Sequence, residues 1–492
     1  MLMKKNHFLT CSKKIGFLLM GVAAFFFASC AQDGYDDDES FVLDTWNTKM
    51  VTPSADVITV TSNATGDKQT IEWPLVKGAG GFELKLEDVT DADAVKVIYE
   101  GLVDGCSKMV EREEDTKYRL TLRALGNKEY GNTDADNTTT KDFTTIIVSP
   151  FEPIPAGTDL YEYFTTNGFP TESETEEVCY DLIPEADYTL SQSIEIGNHK
   201  ILLRSTSKTK NVNLTLASGA YFAITDGFRL RGFNIDMFQT DKALISGSET
   251  PNEAIKGATG TGDYYNITSP VTIQRCNIEG VSGNLVYDNS KKYCFKDLVI
   301  DNSNIHLTSS STTNVSGNAI IYFKQGFVND ITVQKSTIWN VGGDSDAKYF
   351  IQYNNSGRCS RAGYTTNSIT HTNCTFYNIA KAGQWFNCNG FNGQTSSTYY
   401  ITNNIFVDCG NKQVARRILG SVKETNRRGA TLFSDNTYWF NGENVSAESE
   451  YDTGYILTSD PAFVDAEGGN FVPTGAEQLD KQTGDPRWYE IY

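Results

Sequence analysis

The sequence predicts an all-β chain in two parts, a small β-sandwich followed by a long single-stranded parallel β-helix. Three observations carry this. The stretch 272–281, Thr-Ile-Gln-Arg-Cys-Asn-Ile-Glu-Gly-Val, returns five more times, with apolar anchors Ile278, Ile305, Ile338, Phe376, Phe406 and Trp439 spaced by 27, 33, 38, 30 and 33 residues. Each copy holds a second apolar run, as at 285–287, 320–323, 350–353 and 385–386. The copies alternate with period two, are rich in β-branched and aromatic residues, and lack the 3.6-residue period of a helix.

A copy reads as strand, sharp turn, variable loop and second strand. The turn falls two residues after the anchor, at Gly280, Asn340, Asn378, Asp408 and Asn441. A unit this short cannot bury its own apolar face, so successive units must stack. Propeller blades need four strands in each repeat and carry signatures that are missing here. Stacked coils about 4.8 Å apart remain, and Asn at one turn position tolerates the left-handed backbone and forms an amide ladder.

Residues 51–149 have a different rhythm, with short strands and frequent turn signals. The segments 69–73, 76–84, 118–124 and 143–145 resemble a fibronectin type III domain. Trp73 is expected on the inner face of one sheet, and Tyr118, Leu120 and Leu122 on the facing one. Such a module is a spacer or a docking surface for partner proteins. Residues 150–160, with Pro150, Pro153 and Pro155, read as a stiff linker. Strands from Tyr188 to Ile235 open the β-helix, which occupies 161–492, and 246–264 reads as a loop. In the tail, Phe463, Phe471 and Trp488 are expected to cap the apolar end.

At the N-terminus a basic segment, an apolar run from Ile15 to Phe27 and Ala28-Ser29-Cys30 form a secretory signal, too short to span a membrane. The last three resemble a bacterial lipobox, which implies a signal peptide at 1–29 and a lipidated Cys30. Asp33, Asp36, Asp37, Asp38 and Glu39 make 30–50 an acidic tether. The tether resembles the export signal of Bacteroidetes lipoproteins, which implies an outer-membrane lipoprotein exposed at the cell surface. Loss of four leader lysines takes the formal charge from −20 to −24, which argues against nucleic acid as a partner. Cys276 and Cys374 share one register position three coils apart, too far for a disulfide, and are read as core residues.

Lipobox, sandwich, repeats and tail together resemble a family of Bacteroidetes surface lipoproteins with an N-terminal fibronectin type III-like domain and a right-handed, pectin-lyase-like parallel β-helix. The resemblance implies work on plant polysaccharides such as pectin. Yet the Gly-His-Gly and Arg-x-Lys of related hydrolases and the arginine motif of related lyases are missing. Asp297 with Asp301, Asp344 with Asp346, and Arg275, Lys335 and His371 are loose catalytic candidates, read as surface charge rather than as catalytic residues. No metal ligand set has the right spacing, no cofactor is expected, and only a lyase would call for Ca²⁺.

A binding groove suits the residues better, because sugar faces stack on aromatic rings while hydroxyls and carboxylates suit Arg, Asn and Gln. The glycan-binding candidates are Trp385, Tyr353, Arg358, Arg361, Gln384, Arg416 and Arg417, with Asn354, Tyr364, Lys381, Arg427 and Arg428 in the same loops. The expected function is a surface lipoprotein binding plant cell-wall polysaccharide, acidic glycans included. The alternatives are a lyase acting on uronic-acid glycans and a structural or adhesive stalk.

Overall fold

The computed structural model describes residues 45–62, 68–257, 262–308, 319–341, 347–354, 358–388, 390–391, 394–420 and 429–489. Cys30 with its signal peptide, the tether up to residue 44, Asp344, Asp346, Arg427 and Arg428 lie outside the described residues. The chain divides between Ile146 and Ile147 into two compact units.

The first unit is a fibronectin type III-like sandwich. Thr59–Ser62, Lys68–Glu72 and Ser107–Glu111 form one antiparallel sheet, and Lys96–Val103, Ala79–Asp88, Lys117–Gly126 and Thr139–Thr144 form the other. Period-two alternation turns Tyr118, Leu120 and Leu122 into the core. Trp73 meets Phe82 edge-on at 5.2 Å between ring centres, and the Glu113 N–H donates to the Tyr118 hydroxyl at 2.8 Å.

The second unit is the parallel β-helix, with three strands to a full coil. Sheet 1 has ten strands, with a path from Val178–Leu182 to Ala430–Ser434, and sheet 2 has eleven, starting at Asp187–Leu190. Sheet 3 has seven, from Ile194–Gly197 to Gln384–Asn387. The sheet 2 register pairs Ile278, Ile305, Ile338, Phe376 and Phe406 in succession. The sixth anchor is Tyr438, not Trp439. A slip of one residue turns a strand over, and Tyr438 is the side chain that is buried. The second apolar runs form sheet 3 as neighbours.

The strand absent from the two-strand reading is in sheet 1, directly before each anchor strand. A single left-handed residue joins the two: Arg275 (φ 53°), Asn302 (45°), Lys335 (48°), Asn373 (52°), Asn403 (58°) and Asp435 (55°). Arg275 and Lys335 are therefore corner residues, not outward strand positions. The second corner is left-handed at Gly280, Asn378, Asp408 and Asn441. Asn340 departs from that expectation, ending the strand Thr337–Asn340 as a buried residue.

Both ends differ from expectation. The segment read as a linker is docked on the β-helix: Phe151 stacks on Tyr180 at 4.8 Å, and buried Ile154 bridges Leu182. The helix Leu160–Asn167 follows, N-capped by Asp159, and buries Leu160 and Phe164. These apolar side chains cover the first coil, which proline-rich spacing alone does not reveal.

Phe463, Phe471 and Trp488 do not cap the far end. They belong to a strap laid along the outer face of sheet 2, where Phe471 meets Trp339 at 5.4 Å and Tyr377 at 5.5 Å. Trp488 Nε1 donates to Thr337 Oγ1 at 2.8 Å. The last coil instead carries a buried polar cluster, in which Asn436 Nδ2 and the Tyr438 hydroxyl donate to Asp452 Oδ2 at 3.0 and 2.9 Å. Cys276 and Cys374 are buried thiols, and every described cysteine is free.

Candidate functional site

The residues first expected to bind a ligand are not brought together. Trp385 is 0% exposed, with Phe350 at 4.5 Å, Phe376 at 4.9 Å and Phe406 at 5.3 Å. Tyr353 is 4% exposed and packs on Phe323, Phe386 and Phe391. Both point inward on sheet 3, so neither can stack on a sugar. Gln384 is half-buried on the opposite, outward face of its strand, in register with Tyr349.

Arg358 and Arg361 are exposed around the short 3₁₀ turn Cys359–Ala362. Arg416 and Arg417 are half-buried on the helix Val414–Ile418, where the Arg416 backbone N–H donates to Glu448 at 3.2 Å. Asn354 is exposed and Tyr364 half-buried, and Lys381 pairs with Asp408 at 3.0 Å.

The loose catalytic candidates are equally dispersed. Asp301 accepts from Gln274 and Gln334, each at 3.0 Å, as a rung across three coils. Asp297 shares Lys296 with Asp330. His371 is fully buried among Phe350, Phe376 and Trp385, and burial pushes its imidazole down to about 4, so it is neutral at pH 7. Among the described residues no group of three or more His, Cys, Asp or Glu side chains is placed to hold a metal ion.

What the fold does assemble is a groove on the outer face of sheet 2, over its first five strands. Alternation in Asp187–Leu190, Val212–Leu216, Phe233–Asp236, Asn277–Val281 and Asn304–Leu307 turns the apolar residues inward and leaves two outward columns. One column is Asp187, Asn213, Asn234, Asn277 and Asn304, in continuous register. It is hydrogen-bonded along the axis: Asn213 Nδ2 donates to Asp187 at 2.9 Å, Asn234 to Asn213 at 3.0 Å and Asn277 to Asn234 at 2.9 Å.

The second column runs through Thr189, Thr215, Asp236, Glu279 and His306. Its last two members are joined by a 2.6 Å contact between His306 Nδ1 and Glu279 Oε2. Two concavities of about 660 and 380 Å³ lie along this surface and share Asn213, Asn234 and Asn277. Phe238, 62% exposed, borders the smaller one.

The left-handed corner forms one wall. There the Arg275 guanidinium lies across Gly232, where a Cβ would collide with it, and donates to the carbonyls of Ser207 (2.7 Å) and Lys208. Lys210 is paired with Glu185 at 2.8 Å. Arg487, reaching in from the strap, donates to Asp485 at 2.6 Å and Asn302 at 3.2 Å. Lys210 and Arg487 are thus paired with carboxylates and Arg275 with neutral carbonyls, while on the groove floor Asp187 accepts from Asn213, Asp236 from the Phe238 N–H at 2.9 Å, and Glu279 meets His306.

The strap closes one end. His306 stacks on Trp339 at 3.8 Å and 6°, Trp339 Nε1 donates to Asn304 at 3.0 Å, and Phe471 packs behind Trp339. A sequence signal for this site existed: Asn213, Asn234, Asn277 and Asn304 each precede an inward anchor by one residue. Its outward direction needs the strand register.

Three families, each a domain of unknown function, have models that match parts of the chain: DUF4992 over 3–192, DUF4957 over 186–341 and DUF5123 over 369–488. No curated protein matches. Among solved structures, FN3tt mut is similar at 22% identity over 20% of this chain and 97% of its own, with a TM-score of 0.15. Pectate lyase PelI from Erwinia chrysanthemi, solved with tetragalacturonic acid, is similar at 8% identity over 82% of this chain and 99% of its own, with a TM-score of 0.16. Pectate lyase Pel3 from Pectobacterium carotovorum is similar at 8% identity over 59% and 82%, with a TM-score of 0.16.

Proposed function

We propose that this chain is a surface lipoprotein that binds plant cell-wall polysaccharide, and that the groove on sheet 2 is where it binds. The observation that carries this is the pair of outward columns, which repeat hydrogen-bonding side chains at every coil beside an exposed aromatic ring. Asn234 and Asn277 each commit one amide hydrogen within the ladder, which leaves the other for a ligand hydroxyl. Phe238 offers a flat face for a pyranose. Lipidation at Cys30 would hold the chain at the outer membrane, with the sandwich as a spacer or a docking module for partner proteins.

The test is retardation of the mature chain in gels cast with homogalacturonan, rhamnogalacturonan or neutral cell-wall glycans, with and without chelator. Retardation that weakens in Asn234→Ala and Phe238→Ala supports the groove. Retardation that both variants leave unchanged moves binding elsewhere, and silence with every glycan leaves the stalk. Chelator-sensitive release of unsaturated products, read by ultraviolet absorbance, would replace binding by a lyase activity.

A further inference from the structure

We infer that the groove recognises the end of an extended, neutral polysaccharide chain, laid along the β-helix axis with one sugar to each coil. This rests on the groove proposed above as the binding surface, and it adds direction, length and charge.

Direction comes from spacing. Coils stack at about 4.8 Å, close to the rise of one pyranose in an extended β-1,4-linked chain. A chain lying along the axis therefore meets an equivalent side chain of the Asn213, Asn234 and Asn277 column at each sugar. A chain lying across the coils meets the column only once.

Length comes from the strap. Four strands of sheet 2 are open; on the fifth, Asn304–Leu307, Trp339 stacks on His306 and bonds Asn304, and the sixth, Thr337–Asn340, is covered where Phe471 packs on Trp339 and Trp488 bonds Thr337. The stacked rings of His306 and Trp339 stand across the groove at that point. A chain entering from the first coil stops there, so the site accepts a terminus and about four sugars, one for each open coil.

Charge comes from the floor. Asp187, Asp236 and Glu279 put three carboxylates on the floor, whereas at the wall Lys210 and Arg487 are paired with Glu185 and Asp485 and Arg275, held by neutral carbonyls, keeps its charge, so the floor carboxylates outweigh it. Carboxylates accept hydrogen bonds from sugar hydroxyls and repel the carboxylates of a uronate chain. The groove thus selects a neutral glycan, although the sequence admits an acidic one.

The experiment is calorimetric titration of the mature chain with cello-, xylo- and manno-oligosaccharides from disaccharide to octasaccharide, beside oligogalacturonides of equal length. Affinity is expected to rise with each sugar up to about four, change by less than about twofold beyond that, and exceed that of the matching oligogalacturonide by about tenfold. A bulky tag should be tolerated at one end of the tetrasaccharide and abolish binding at the other. A plateau at two or three sugars overturns the axial arrangement, tolerance of tags at both ends overturns the terminal stop, and equal or tighter oligogalacturonide binding overturns neutrality. If none of the neutral series binds while polymeric pectin is retained through Asn234 and Phe238, this inference falls and the groove stands. If nothing is retained, both fall.

Discussion

The Asn277 side-chain amide donates to Asn234 Oδ1 at 2.9 Å across the gap between two coils. Asn234 Oδ1 also accepts from Asn211 at 3.1 Å, so one exposed oxygen joins a corner of the solenoid to its floor. Asn234→Ala removes that acceptor and is expected to cost about 1 kcal/mol of stability and to weaken glycan binding about tenfold. Urea denaturation and titration with the preferred oligosaccharide measure the two effects separately.

Trp385 and Phe238 should respond in opposite ways. Trp385→Ala opens a cavity among Phe350, Phe376 and Phe406 and is expected to cost about 3–5 kcal/mol, read as a fall in the denaturation midpoint. Phe238→Ala, on the surface, should leave that midpoint within about 0.5 kcal/mol of wild type while lowering glycan affinity.

His371 makes the β-helix sensitive to acid. Burial lowers its folded-state value from the ordinary 6.5 to about 4, so below pH 6.5 the unfolded chain binds the proton more readily. The stability tied to the neutral imidazole is complete above pH 6.5 and is lost as pH falls towards 4, by up to about 3 kcal/mol. His371→Leu should flatten the dependence of the urea midpoint on pH across that window, and an unchanged slope would count against the assignment.

The strap hangs on Asp485, a buried carboxylate that accepts from Thr337 Oγ1 at 2.8 Å and from Arg487 Nε at 2.6 Å. Asp485→Ala removes the acceptor shared by Thr337 and Arg487, while Arg487 keeps Asn302 and access to water, and is expected to cost about 1–3 kcal/mol. Limited trypsin digestion followed by intact-mass measurement should then show early loss of the tail after Lys481, with the coils still protected.

The sequence by itself determined the fold class, the coil repeat and five of six anchors. Period-two alternation and stacking are local demands, and every coil repeats them. Ile278, Ile305 and Ile338 announce themselves because each must fill the same interior position. Within runs such as Tyr349–Tyr353 or Gln384–Asn387, where large apolar residues stand side by side, alternation gives no phase. Only the register decided that Trp385 and Tyr353 face inward while Gln384 faces out.

The candidate site was legible only as residue types. Asn, Arg and aromatic side chains were expected, but the groove depends on Asn213, Asn234 and Asn277 being superposed across 64 residues of chain, and on a tail that returns to cover Trp339. Nothing local to Phe463, Phe471 or Trp488 distinguishes an end cap from a flank strap, because either arrangement gives aromatic side chains an apolar surface to cover. The choice was made by partners far away in sequence, Trp339, Tyr377 and Thr337, and contacts of that range exist only once the coils have stacked.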